Sequence, residues 1–134
     1  MNYVVLALIA MVAFGIPAIM YKLASPHIDP VSTVLIAYMC AGAFTAVVWY
    51  FTPGKVITLT GVKYVALAAF FGMIGMIMMV SALKQGPVHI VSPIRSMALL
   101  VTVVLAIFIL GEKLTLVKGI GIVFATIALI LLST

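Results

Sequence analysis

The chain has 134 residues, of which 67% are hydrophobic and only 7% charged, and its formal net charge is +5. A water-soluble domain of this length could not cover so much apolar surface, so the composition excludes one. The lysines are scattered singly through short segments, so the positive charge does not indicate nucleic-acid binding. With one cysteine, Cys40, there is neither a disulfide framework nor a thiolate metal site.

Five long apolar runs make up most of the sequence, and all but one of the charged residues stand at their edges. Each run is long enough for a helix to cross a hydrocarbon core of about 30 Å. Helices satisfy their backbone polar groups within one span, and the runs lack the alternation of barrel strands. The sequence therefore predicts an all-α polytopic membrane protein, a single domain over residues 1–134, with helices at about 2–22, 30–51, 61–83, 88–110 and 116–133.

Short signals at the ends of the runs support these boundaries. Asp29-Pro30 offers an N-cap and a first-turn proline to the second span, and Pro53-Gly54 interrupts the chain after it. Four further residues are expected to cap or end a helix: Thr60, Gly86, Gly111 and Thr115.

Small or polar residues recur at helical spacing on one face of several spans, and such faces let membrane helices approach closely. On the third span we expect Gly72 and Gly75 at a contact with another helix. The first and second spans also carry aromatic and hydroxyl groups on these faces, which is typical of a pocket wall. The candidate solute-contacting residues there are Phe14, Pro17, Tyr38 and Thr45.

The fourth span holds the one charge inside a run, Arg95, and an ionisable group at membrane depth is costly. Ser92, Ser96 and Thr102 share its helical face, and Pro93 removes a backbone donor beside them. A polar stripe on an interrupted helix is typical of a solute path, where Arg95 would attract a carboxylate or phosphate. Alternatively, Ser92-Pro93 starts the helix, and Arg95 in its first turn only reaches the headgroups.

The sequence lacks the side chains that proton coupling, catalysis or metal binding would require. No Asp or Glu lies inside a span, which leaves no membrane-buried carboxylate for proton coupling. No metal-ligand cluster, nucleophile–base pair or glycine-rich phosphate loop is present, so we expect no enzyme, metal or other cofactor. Glu112, just before the last span, is expected to act locally with Lys113.

The last third of the chain carries a distinctive pattern: Ser92-Pro93, a long apolar run, Gly111-Glu112-Lys113-Leu114-Thr115, then Gly119 and Gly121 before an apolar tail. This pattern resembles the end of an EamA domain, the repeat unit of the drug/metabolite transporter superfamily. The opening Phe14-Gly15, followed by Lys22, is similar to the family's Trp-Gly start, with Phe in place of Trp. The resemblance extends over essentially the whole chain and implies one five-helix repeat.

Most members of this superfamily have ten helices in two inverted repeats. An odd number of spans places the termini on opposite sides, so a single repeat would recover that architecture as an antiparallel homodimer. The loop charges permit this, because one face receives Lys55, Lys63, Lys113 and Lys118, and the other receives Lys22, Lys84 and, if it snorkels, Arg95.

The resemblance implies a cell-membrane transporter of small organic metabolites that works by alternating access, with export of amino-acid-like solutes expected. Its partners would be a small-molecule substrate, membrane lipids and a second copy of the chain, without nucleic acid. Two other functions fit the sequence. One is a lipid-carrier flippase in which Arg95 holds a headgroup phosphate, and the other is a non-transporting accessory subunit bound to a specific partner chain.

Overall fold

The computed structural model describes residues 3–111 and 113–133, and this part of the chain contains helices and turns but no strand. Six helices follow one another: α1 (Tyr3–Ala24), α2 (Pro30–Phe51), α3 (Leu59–Gln85), α4 (Val88–Ser96), α5 (Ala98–Leu110) and α6 (Leu116–Ser133). Since α4 and α5 together form one span, five stretches of the described residues are long and apolar enough to cross a membrane. The predicted all-α fold with five spans is confirmed.

The helices group into two compact units, Met1–Gln85 and Gly86–Thr134, called here the N-terminal and C-terminal units. The predicted bounds of the second and fifth spans are those of α2 and α6, whereas α1 and α3 are longer than predicted. As expected, α3 ends before Gly86 and α6 begins after Thr115. Asn2, the predicted start of the first span, and Glu112, with its expected local role, lie outside the described residues.

Asp29 caps α2 as predicted. Its Oδ1 accepts a hydrogen bond from the Ser32 amide at 2.9 Å, and Pro30 occupies the first turn. The hydrogen bonds from the side chain and the backbone of Ser32 hold the pKa of the Asp29 carboxyl below its ordinary value. The carboxylate therefore stays ionised at the positive end of the helix dipole.

The N-cap of α3 is Thr58, so the prediction of Thr60 is wrong. The Thr58 Oγ1 accepts a hydrogen bond from the Gly61 amide at 3.2 Å, and its carbonyl accepts one from Val62 at 3.0 Å. An N-cap side chain accepts a hydrogen bond from the amide of the second or third helical residue, and Thr60 is already inside the first turn. Gly111 ends α5 as predicted, with a φ of 67°, the left-handed conformation that favours glycine.

The three helices of the N-terminal unit pack closely only near one end. The buried side chains come from the end of α1 and the turn after it, the start of α2 and the end of α3: Ala18, Ser25, Thr33, Val34, Met79, Val80 and Leu83. Val80 and Leu83 are fully inaccessible. Elsewhere the apolar side chains of this unit are largely exposed, as lipid-facing surfaces are in a membrane.

A lysine joins α1 to the end of α3. The Lys22 ammonium, in the last turn of α1, donates a hydrogen bond to the Leu83 carbonyl at 2.6 Å. Carbonyls in the last turn of a helix have no partner within that helix, and the helix dipole favours a cation there. The bond therefore satisfies a carbonyl at the packed end of the unit and connects α1 to α3.

Gly72 lies at a helix contact, whereas Gly75 does not. A Cβ on Gly72 would stand 3.8 Å from the Tyr38 hydroxyl of α2, and a Cβ on Gly75 would meet no atom within 4 Å. The prediction is confirmed for Gly72 and wrong for Gly75 within this unit. Gly75 lies one turn further along α3 and about 60° around the helix axis from Gly72, and there a Cβ would meet no described atom within 4 Å.

The bond from Lys22 should contribute measurably to stability. Lys22→Met keeps an apolar stem but removes the ammonium, leaving the Leu83 carbonyl unpaired. We expect the free energy of unfolding to fall by about 1–3 kcal/mol, seen as a lower melting temperature in detergent. Lys63→Met, which removes an exposed lysine from α3, should change it by about 0.5 kcal/mol or less. Equal losses in the two variants would contradict the role given to Lys22.

Candidate functional site

The helix that carries the candidate polar groups begins before them. α4 starts at Val88, and the Pro87 carbonyl accepts a hydrogen bond from the Val91 amide at 3.1 Å, which closes the first turn. The alternative in which Ser92-Pro93 starts the helix is therefore wrong, because Pro93 lies inside α4. A proline removes one backbone donor, and α4 continues past it to Ser96.

Arg95 lies in the last turn of α4, and its side chain is exposed. From Val88, the first residue of the span, the helix rises about 10 Å to Arg95, about a third of a hydrocarbon core. No hydrogen bond or ion pair joins the guanidinium to another described residue. Its five donors therefore depend on a headgroup, on water or on a bound anion.

The fourth span is interrupted at Met97, between α4 and α5. The Met97 amide bonds to the Ile94 carbonyl at 3.1 Å and the Leu100 amide to the Met97 carbonyl at 2.9 Å, the spacing of 3₁₀ turns. The sequence predicts a disturbance at Pro93, and the structure places the break four residues later. The donor that Pro93 lacks would have bonded to the His89 carbonyl, so the missing bond of the proline does not account for the change of spacing at Met97.

The hydroxyls beside Arg95 differ in what they offer to a ligand. Ser96 Oγ donates a hydrogen bond to the Ser92 carbonyl at 3.0 Å, and Thr102 Oγ1 donates to the Ala98 carbonyl at 3.0 Å. Their protons are used within the helix, and only lone pairs remain. Ser92 Oγ is buried and has no partner among the described residues. The stripe therefore contains two groups that make no hydrogen bond within the described part of the chain, the Arg95 guanidinium and the Ser92 hydroxyl.

The other four candidate residues lie in the N-terminal unit. Phe14 is 67% exposed, Tyr38 is 48% exposed, Thr45 is exposed and Pro17 is half-buried inside α1. The Tyr38 hydroxyl lies beside Gly72 of α3. The polar candidates of α4 share one short helix in the C-terminal unit. A single pocket built from both sets stays a prediction.

The C-terminal unit also contains a cleft that the sequence did not predict. Residues of α5 and α6 and of the turn between them line about 430 Å³, and Lys113 and Lys118 are among them. In the sequence these lysines look like loop charges. The sequence contained one indication of this site. Lys118 lies in the first turn of α6, where the helix dipole disfavours a cation.

Groups that bind metals are scarce in this chain. Among residues 3–111 and 113–133, no three His, Cys, Asp or Glu side chains lie close enough to hold a metal ion. The one carboxylate within these ranges, Asp29, is engaged at the start of α2. The interactions that the described site offers are therefore charge, hydrogen bonds and apolar contact.

These features define a polytopic helical membrane protein with a polar stripe on an interrupted span. The sequence profile of the EamA-like transporter family matches residues 1–134, so the chain belongs to that family and the predicted resemblance is confirmed. An uncharacterised protein of Methanocaldococcus jannaschii is 39% identical over 82 residues, which cover 61% of this chain. The match spans 56% of the length of that relative. No solved structure matches the chain.

Ser92 provides a test of the polar stripe. A buried hydroxyl without a partner costs about 1–3 kcal/mol, so Ser92→Ala should leave the melting temperature in detergent unchanged or raise it. Ser96→Ala is the matched control, because it removes a hydroxyl whose hydrogen bond is made, and it should not raise that temperature. A larger loss in Ser92→Ala than in Ser96→Ala would show that Ser92 Oγ has a partner in the folded protein.

Proposed function

We propose that this protein carries small organic solutes across the cell membrane by alternating access, and that it exports amino-acid-like metabolites. Membership of the EamA-like family supports transport as the class of function. The observation that carries the proposal is Arg95, an exposed cation about a third of the way along its span, without a partner among the described residues. No residue is assigned a catalytic role, and no metal or cofactor takes part.

In this proposal Arg95 draws the anionic group of the solute. A guanidinium presents a planar fork that binds a carboxylate through two parallel hydrogen bonds, and the attraction is stronger at membrane depth than in water. Amino acids carry such a carboxylate. Ser92 precedes Arg95 by one helical turn on the same side of α4, and its hydroxyl, which is buried, would donate a further hydrogen bond once the solute reaches it.

The remaining walls come from the faces of α1 and α2. Phe14 and Pro17 supply apolar surface, while Tyr38 and Thr45 supply hydroxyls. Small-molecule sites are mostly apolar, with a few polar groups that orient the ligand, and this set has that character. Phe14, Tyr38 and Thr45 are exposed in the N-terminal unit, so packing within that unit does not cover them.

The turn at Met97 supplies a hinge for the transport cycle. Alternating access needs helices to change their angle around a solute held near the middle of the membrane. The 3₁₀ bonds on either side of Met97 have poorer geometry than α-helical bonds, so bending costs least there. In this proposal α4, which carries Arg95, moves relative to α5 about that turn.

Two copies in opposite orientations form the transporter in this proposal. Five spans place the two ends of the chain on opposite sides, and the lysines are distributed with only a weak bias between the two faces. Two glycines, one in α1 and one in α2, have open space beside them. A Cβ would meet no described atom within 4 Å at Gly15 or Gly42, which leaves room for a helix of the second copy to pack closely.

Variants of Arg95 test the solute site. Proteoliposomes loaded with the common amino acids should release a subset of them, which mass spectrometry of the external solution identifies. Arg95→Ala should weaken binding of that subset by about 1–3 kcal/mol, or about 5- to 150-fold, with the fold intact. Arg95→Lys should restore only part, because an ammonium cannot make the bidentate contact. Lys84→Ala, an exposed lysine outside the proposed site, is the control.

The other outcomes of this experiment identify the rival functions. Full activity of Arg95→Lys would remove Arg95 from the solute site, because either cation reaches the headgroups equally well. Movement of a labelled lipid carrier between leaflets, without release of amino acids, would indicate a flippase that holds a phosphate at Arg95. Neither activity in well-folded protein would favour an accessory subunit.

The orientation of the chain tests the antiparallel dimer. A reporter that is active only in the cytoplasm and one that is active only outside it, fused in turn to the C-terminus, should both give signal. Adding two lysines to one loop should suppress the signal of one reporter, because the positive-inside rule then selects one orientation. Transport should be lost in the same variant, because the antiparallel dimer can no longer form. Signal from only one reporter in the unmodified chain would overturn the antiparallel homodimer.

A further inference from the structure

The cleft in the C-terminal unit is apolar along its length and basic at one end. Its apolar walls are Leu99, Val103, Ala106 and Ile107 of α5 with Ile122 and Ala125 of α6. Lys113, in the turn, and Lys118, in the first turn of α6, complete it at the end where the two helices are joined. A ligand that fits such a cleft has an apolar body and an anionic end.

The dimensions of the cleft match one leaflet of a bilayer. From Leu99 to Leu110 the helix α5 rises about 16 Å, close to half of a hydrocarbon core of about 30 Å. The turn after Leu110 marks the end of the span, so Lys113 and Lys118 stand at the level of the headgroups. The apolar part of the cleft then lies at the depth of the acyl chains of the same leaflet.

The charges around Lys118 favour an anion. The first turn of α6 contains no acidic residue, although the dipole makes that end of a helix positive. Neither Lys113 nor Lys118 has a hydrogen-bond or ion-pair partner among the described residues, and both side chains are exposed. Glu112 is their acidic neighbour in sequence and leaves this segment with a net positive charge. A phosphate would offset the repulsion between the two lysines and the helix end.

We propose that this cleft binds one anionic phospholipid, with an acyl chain along α5 and α6 and the headgroup phosphate between Lys113 and Lys118. The apolar walls favour a lipid over a soluble phosphate, because a soluble anion would leave the length of the cleft unfilled. The site is separate from the solute site assigned to Arg95. Each copy of the chain then depends on the lipid composition of the leaflet that its own cleft faces.

Thermal unfolding of the purified protein in detergent tests the site. Phosphatidylglycerol and phosphatidylcholine with identical oleoyl chains are titrated separately. Phosphatidylglycerol should raise the melting temperature with a saturable dependence on concentration, and phosphatidylcholine should require at least a tenfold higher concentration. Lys113→Gln/Lys118→Gln should raise the half-saturating concentration of phosphatidylglycerol about tenfold or more, since each lysine near an anionic surface contributes about fivefold.

Two matched controls separate the site from general effects of charge and volume. Lys55→Gln/Lys63→Gln removes the same charge from lysines that the alternation of spans assigns to the same face, and should leave the lipid response unchanged. Gly121→Leu places a side chain in the cleft, where a Cβ meets nothing within 4 Å, and should abolish the response. Gly75→Leu, at an equally open glycine outside the cleft, should preserve it.

Four results would overturn the proposal. Equal responses to the two lipids, or an unchanged response in Lys113→Gln/Lys118→Gln, would exclude recognition of the anionic headgroup. Glycerol 3-phosphate that stabilises the protein as well as phosphatidylglycerol would assign the lysines to a soluble phosphate. The wild-type protein could also give no response to either lipid, while Gly121→Leu converts a dimer to a monomer. That result would show that a second copy of the chain occupies the cleft.

Discussion

The hydrocarbon core of a membrane offers no hydrogen-bond partner, and the organisation of this protein follows from that constraint. Several hydroxyls in the spans bond to carbonyls one turn earlier, as Ser81 does to Ile77 at 2.7 Å and Thr126 to Ile122 at 2.8 Å. At the helix ends, Asp29 supplies the acceptor that a free amide of α2 needs. The bond from Lys22 to the end of α3 extends the same rule to a contact between helices.

Polar groups of the spans that lack a partner are candidates for function. Arg95 and the Ser92 hydroxyl have no partner among the described residues, and both lie on the short helix that precedes the break at Met97. An unpaired donor within a span is retained at a cost, which a bound anion would offset. The cleft between α5 and α6 carries a similar imbalance, with two lysines at the positive end of a helix. In the two proposals the first imbalance binds a solute and the second a lipid, because the two lysines adjoin a long apolar cleft.

Packing within the N-terminal unit follows from the same medium. Lipid tails are as apolar as leucine, so burial of apolar side chains gives little driving force between helices. The unit accordingly buries few residues, and its described contacts between helices include a glycine under the Tyr38 hydroxyl and the hydrogen bond of Lys22. Long apolar faces remain exposed, and lipid or a second copy of the chain would cover them.

The sequence by itself determined the class of fold, the five spans and most of their ends. These features depend on local chemistry: hydropathy over about 20 residues, a cap such as Asp29, and a glycine such as Gly111 that tolerates a left-handed conformation. Only the tertiary structure decided which side chains meet. The bond from Lys22 to Leu83, the placement of Gly72 rather than Gly75 beside Tyr38, and the basic cleft between α5 and α6 all depend on how helices rotate and cross. In a nearly uniform apolar sequence many rotations present similar surfaces, so the pattern of residues could not select among them.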